Sequence, residues 1–101
     1  MNEELKKYNS FSIIGAARSG IAAAKLLNAK GYKVFLSDLG NENKLNPDFL
    51  NEIKQNRIPC EFGVHSDKIY ENDVLVVSPG VPQNSKVILD AMKKGKEILN
   101  L

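Results

Sequence analysis

A chain of 101 residues, 43% apolar and 26% charged, is sized for one domain with a packed core of its own. Its net charge of +2 comes from interspersed acidic residues and lysines with only two arginines, Arg18 and Arg57; neither a concentrated basic face nor an aromatic platform for nucleic acid is visible. No apolar run nears the roughly 20 residues that cross a bilayer. The start, Met1-Asn2-Glu3-Glu4, lacks a leader pattern, and the single cysteine, Cys60, cannot form an internal disulfide, so a reduced, cytoplasmic setting is expected.

Phe11-Ser12-Ile13-Ile14 reads as a first strand ending at Gly15. Residues from about Arg18 to Lys30 read as a helix, with Gly20, Ala23 and Leu27 on one face, flanked by Ala24 and Leu26, and Gly31 closing it. Tyr32 to Ser37 is a second strand ending at Asp38. Asn46 as cap and Pro47 as first residue announce a second helix with Phe49, Leu50 and Ile53 on its inner face. Cys60 to Gly63 is a weaker third strand in which Cys60 is expected to be buried, and Gly63 to Asp73 is polar, with room for a short helical turn. Val74-Leu75-Val76-Val77 is the continuous β-branched run of a strand covered on both faces. A third helix starts near Asn84 or Ser85, is expected to bury Val87, Ile88, Ala91 and Met92, and ends at Gly95, with Glu97-Ile98-Leu99 as a fifth strand.

Strands separated by helices imply parallel pairing through right-handed crossovers. Residues 1–101 therefore read as a single α/β domain: a Rossmann-like open parallel sheet of about five strands, order 3-2-1-4-5, with helices on both faces. In such a sheet the ligand crevice lies beyond the carboxyl ends of the strands, where the winding reverses, here between the first and fourth.

Three segments meet that crevice. Gly15-Ala16-Ala17-Arg18-Ser19-Gly20 is a G-x-A-x-x-G form of the dinucleotide fingerprint: Gly15 permits the tight turn, Gly20 a close helix–sheet approach, and the amides near Arg18 and Ser19 suit a phosphate. Ala17 replaces the second glycine, and its β-carbon is expected to push a phosphate outward. Asp38, with Leu39 beside it, stands where an acidic side chain meets a ribose or base. Ser78-Pro79-Gly80-Val81-Pro82 is a stiff loop on the opposite lip, with a hydroxyl at Ser78. His65 lacks companions at metal-ligand spacing and reads as a solvent-facing loop histidine. There is no G-x-x-x-x-G-K-[ST] loop for ATP and no catalytic constellation, so neither a catalytic nor a metal residue is expected in this stretch.

The glycine loop with its following helix, Ser37-Asp38, and Val76-Val77-Ser78-Pro79-Gly80-Val81-Pro82 together resemble the N-terminal domain of the MurD-type Mur ligases, over nearly the whole chain. The Ser-Pro-Gly-Val-Pro element, with the helix ending Ala91 to Gly95, is the most specific part; the Gly-Glu-Ile-Glu-Leu segment of relatives is not cleanly present near Leu99-Asn100-Leu101. The resemblance implies the first domain of a three-domain cytoplasmic ligase of peptidoglycan synthesis. Such an enzyme joins UDP-MurNAc-L-Ala to D-glutamate, with ATP and Mg2+ used by a central domain outside this stretch. It also implies that Arg18 and Ser19 face the diphosphate, Asp38 the uracil with Leu39 beside it, and Ser78 and Gly80 the other lip; Gly15, Ala17, Gly20 and Pro79 complete the expected UDP-binding set. No cofactor is expected in this domain, and the composition leaves no nucleic-acid or membrane partner expected. The alternatives are an NAD-binding module of a dehydrogenase or regulatory protein, with Asp38 on a ribose, and an interaction module without a ligand, which the expected lack of an exposed apolar helix face disfavours.

Overall fold

Short apolar runs can satisfy their backbone only by pairing, and amphipathic helices can bury their stripes only on the sheet so formed. In a computed structural model, which describes residues 7–101, the chain does both. The start, Met1-Asn2-Glu3-Glu4, on which the leader expectation rests, lies outside the described residues. In order come β1 (Ser10–Ile14), α1 (Arg18–Ala29), β2 (Lys33–Asp38), α2 (Pro47–Gln55), β3 (Cys60–Phe62), β4 (Val74–Val77), α3 (Lys86–Lys93) and β5 (Glu97–Asn100). Short 3-10 segments occupy Glu42–Lys44 and Asp67–Glu71. All five strands are parallel, in the order β3-β2-β1-β4-β5. The sheet is the doubly wound one that the sequence predicts.

Alternation along the central strands divides the core. Phe11, Ile13, Val34, Leu36, Val74 and Val76 pack towards α1 and α2, against Ile21, Ala24, Leu27 and Ile53. Ile14, Leu75 and Val77 turn the other way, against Ile69 and the Val87, Ile88 and Ala91 face of α3. At the amino end of the sheet Asp73 Oδ2 accepts from the Asn9 amide at 2.7 Å, and the Asp73 amide donates to Ser10 Oγ at 2.8 Å, which aligns the entry of β4 with β1.

Three burial expectations are corrected. Met92 is 63% exposed: at 100° per residue it falls about 40° beyond Ile88, off the edge of the buried arc. Leu26 is also exposed, because it points about 160° away from Ala24. Cys60 is exposed because β3 is the sheet's edge and only three residues long. With Leu89 also exposed, α3 carries apolar side chains outward, contrary to the expectation of no exposed apolar helix face.

Candidate functional site

The glycine loop is built by its two neighbouring strands. The Gly15 amide donates to Ser37 O at 2.9 Å, and the Ser78 amide donates to Ile14 O at 3.0 Å, so the exit of β1 is clamped from β2 and β4 at once. Gly15 then takes φ +100°, a left-handed conformation suited to glycine. Its carbonyl accepts from the buried Ser78 hydroxyl at 2.9 Å, which makes Ser78 a strut between the two lips. Ala17 has φ −101° and ψ −178°, ordinary extended backbone, so alanine stands in the second glycine position without strain.

The first intrahelical bond of α1 runs from the Ile21 amide to Ala17 O at 2.9 Å. The amides of Arg18, Ser19 and Gly20 have no intrahelical acceptor, no side chain caps them, and no acidic residue stands in the first turn. They leave a positive helix end.

Asp38 bridges two loops. Its Oδ2 accepts from the Ala16 amide at 2.6 Å and its Oδ1 from the Gly40 amide at 2.7 Å. The turn is closed from β3, where the Gly63 amide donates to both Asp38 O and Gly40 O at 2.9 Å. Asp38 is therefore a support of the glycine loop as well as a residue facing the crevice.

A cavity of about 550 Å³ opens between these lips, within the range of small-molecule sites. It brings together Gly15, Ala17, Asp38, Leu39, Ser78 and Gly80 from the expected set. Arg18, Ser19, Gly20 and Pro79 are not on its wall: Arg18 and Ser19 are exposed at the opening turn of α1, Gly20 is buried beneath the loop, and Pro79 faces outward. The sequence reading missed Tyr70, Lys86 and Asp90, which come from the 3-10 segment and α3. Lys86, the sole lysine or arginine on the wall among the described residues, is held by Asp90 at 2.5 Å one helical turn away. That pairing was legible as an i,i+4 spacing, whereas its place beside the crevice was not.

His65 is the larger omission. It is half-buried on the cavity wall rather than solvent-facing, with Nδ1 2.7 Å from Ser37 Oγ. Burial pushes its pKa below the ordinary histidine value, although the carboxylates of Glu61 and Asp38 pull the other way. Glu61 also feels burial, which raises a carboxyl, but hydrogen bonds from Ser66 and Ser37 outweigh it and hold the group below its usual range. Both shifts carry the same linkage sign. A folded-state pKa below the unfolded one gives stability that is present above the unfolded value and lost as pH falls through the folded one. Thermal melts are therefore expected to lose stability first as pH drops below about 6.5, through His65, and again below about 4.3, through Glu61. His65→Asn should flatten the first step and leave the second; two unchanged steps would remove His65 as the cause.

Comparison with known proteins matches residues 9–100 to the family described as Mur ligase MurD-like, N-terminal domain. The chain belongs to this family. Among curated relatives, the UDP-N-acetylmuramoylalanine–D-glutamate ligase of Chloroherpeton thalassium is 43% identical over 89 residues, 87% of this chain and 19% of that protein. The ligase of the same name from Chlorobaculum tepidum is 35% identical over 100 residues, 99% of this chain and 21% of that protein. The chain thus spans about a fifth of the length of these Mur ligases. In fold it is similar to the UDP-N-acetylmuramate-alanine ligase MurC of Thermotoga maritima, with a TM-score of 0.71 at 20% identity over 90% of this chain and 20% of that one. A Myxococcus stipitatus imine reductase solved with NAD+ shares the general fold at TM-score 0.59 and 14% identity, over 93% of this chain and 39% of that one.

Proposed function

We propose that the crevice holds the uridine-diphosphate end of UDP-MurNAc-L-Ala, and that the chain serves as the first, non-catalytic domain of a cytoplasmic D-glutamate-adding ligase of peptidoglycan synthesis. The observation that carries the reading is the uncapped α1 terminus beside a 550 Å³ cavity at the β1/β4 switch point. Amide hydrogens at a positive helix end favour linked phosphates without a cationic side chain, which matters because Lys86 is already paired with Asp90. Asp38 and His65 add acceptors to the wall of the same cavity, and these suit the donors that a nucleoside offers. Family membership and the ligase names of the relatives support this substrate class. ATP and Mg2+ would be bound by domains outside this chain, whose sequence has no phosphate loop for ATP.

Titration of the 101-residue chain with UDP, UDP-MurNAc-L-Ala and NAD, followed by backbone amide NMR, tests the reading. Millimolar to high-micromolar binding of both uridine nucleotides is expected, with the largest shifts at Ala17 to Gly20, Asp38 and Ser78. Weak affinity is expected because the cavity is open between its two lips and would bury only part of the ligand. Tight NAD binding with indifference to UDP would replace the proposal by the dinucleotide reading.

A further inference from the structure

The Ser37 hydroxyl has one proton and three neighbours. Its Oγ lies 2.7 Å from Glu61 Oε2, 2.7 Å from His65 Nδ1 and 3.2 Å from Val64 O. The pairing register places Ser37 opposite Glu61 across β2 and β3, and the fully buried serine cannot turn to water instead. Glu61 Oε2 also accepts the Ser66 amide at 2.8 Å, which fixes the carboxylate as an acceptor. If the hydroxyl pointed at His65 Nδ1, lone pairs of Oγ and Oε2 would face each other at 2.7 Å. The hydroxyl therefore donates to Glu61, and Nδ1 must donate to the hydroxyl. Neutral His65 is then the Nδ1–H tautomer, with Nε2 an acceptor.

That atom has no hydrogen-bond partner among the described residues, and His65 lines the cavity together with Asp38 and Leu39. With the Nδ1 edge turned into the sheet, the Nε2 edge is the one left for the crevice. We infer that His65, locked by Ser37 and Glu61, presents Nε2 as a fixed acceptor that reads a hydrogen-bond donor on the nucleoside end of the ligand. This rests on the proposed function and extends it from the diphosphate to the nucleoside. The chemistry of the wall favours it: the free amides of the α1 terminus fit an anion, whereas Asp38 and His65 bring acceptors to the same cavity, which an imide N–H or ribose hydroxyl fits. Ser37 and Glu61 are positioning residues.

Two variants separate the two ring nitrogens. His65→Asn can keep a donor near Nδ1 for Ser37 but has nothing at Nε2, whereas His65→Gln puts an amide near Nε2 and gives up the Ser37 contact. His65→Asn is expected to raise the Kd for UDP roughly three- to tenfold, the worth of one hydrogen bond, with His65→Gln nearer the wild type. The His65→Asn penalty should vanish with N3-methyl-UDP if the donor is the imide, or with 2′,3′-dideoxyuridine diphosphate if it is the ribose. Side-chain 15N spectra of the free wild-type chain should show the Nδ1–H tautomer, a readout that needs no ligand. Failure of the wild type to bind UDP overturns the proposed function together with this extension of it. UDP binding by the wild type that is unaltered in His65→Asn overturns the His65 assignment alone. So does a penalty that persists with both analogues, or an Nε2–H tautomer.

Discussion

Replacing Gly20 by alanine is expected to lower the midpoint of thermal unfolding by about 10 °C or more, at about 4–8 °C per kcal/mol for a domain near this size. A β-carbon at position 20 would stand 2.1 Å from Gly15 O and 2.7 Å from Ser78 Oγ. The first contact is backbone, and it cannot swing aside as a side chain would. The Gly15 carbonyl is held by the Ser78 hydroxyl, and its own residue is clamped to Ser37 through the amide. Alanine in a helix gains up to about 1 kcal/mol over glycine, whereas forcing a methyl into a filled space costs about 1–3 kcal/mol and occasionally more. With an overlap this deep the steric cost wins, by about 2 kcal/mol. Gly80→Ala is the control: its β-carbon would meet nothing within 4 Å, so stability should move by less than about 0.5 kcal/mol. Equal melting of Gly20→Ala and the wild type would show that α1 can slide away from the sheet, and that the loop geometry is less constrained than the close approach requires.

That close approach was legible from the spacing of Gly15 and Gly20, because a strand–turn–helix junction forces the helix against the strand end. The strands were legible for a related reason: Val74 to Val77 is apolar at every position, as a strand covered on both faces must be. What escaped was set by neighbours distant in the chain. Glu61 and His65 lie 24 and 28 residues beyond Ser37 and meet it only through the β2–β3 register, which no local pattern encodes. Met92 and Cys60 misled for the same reason, since residue type suggested burial while position at an arc margin and on an edge strand decided exposure. At Ala17 the extended backbone shows that alanine is unstrained in the second glycine position, while the outward push of its β-carbon on a phosphate is a separate expectation that concerns the bound ligand.

Asp38→Ala is expected to lower stability by about 2 kcal/mol and to weaken UDP binding by roughly tenfold. The two backbone amides that the carboxylate accepts are unequal. Gly40 is exposed and water can replace the lost acceptor, whereas Ala16 is buried, so its amide bears a desolvation penalty of about 1–3 kcal/mol when left unpaired. Because the Ala16 bond lies within the phosphate-facing loop, the damage should not stop at the nucleoside. A purely base-side role for Asp38, the role that resemblance implies, would leave pyrophosphate binding untouched. The bridge from Oδ2 to Ala16 predicts that pyrophosphate binding falls as well. Leu39→Ala supplies the contrast, since Leu39 lines the cavity through an exposed side chain that holds no loop; it should weaken UDP and spare pyrophosphate. Chemical-shift titrations of both variants with both ligands decide the point. Loss of UDP alone in Asp38→Ala would return the residue to the base side, and retention of both ligands would take it out of the site. Loss of both, with pyrophosphate spared in Leu39→Ala, is the pattern that a carboxylate bridging the two loops requires.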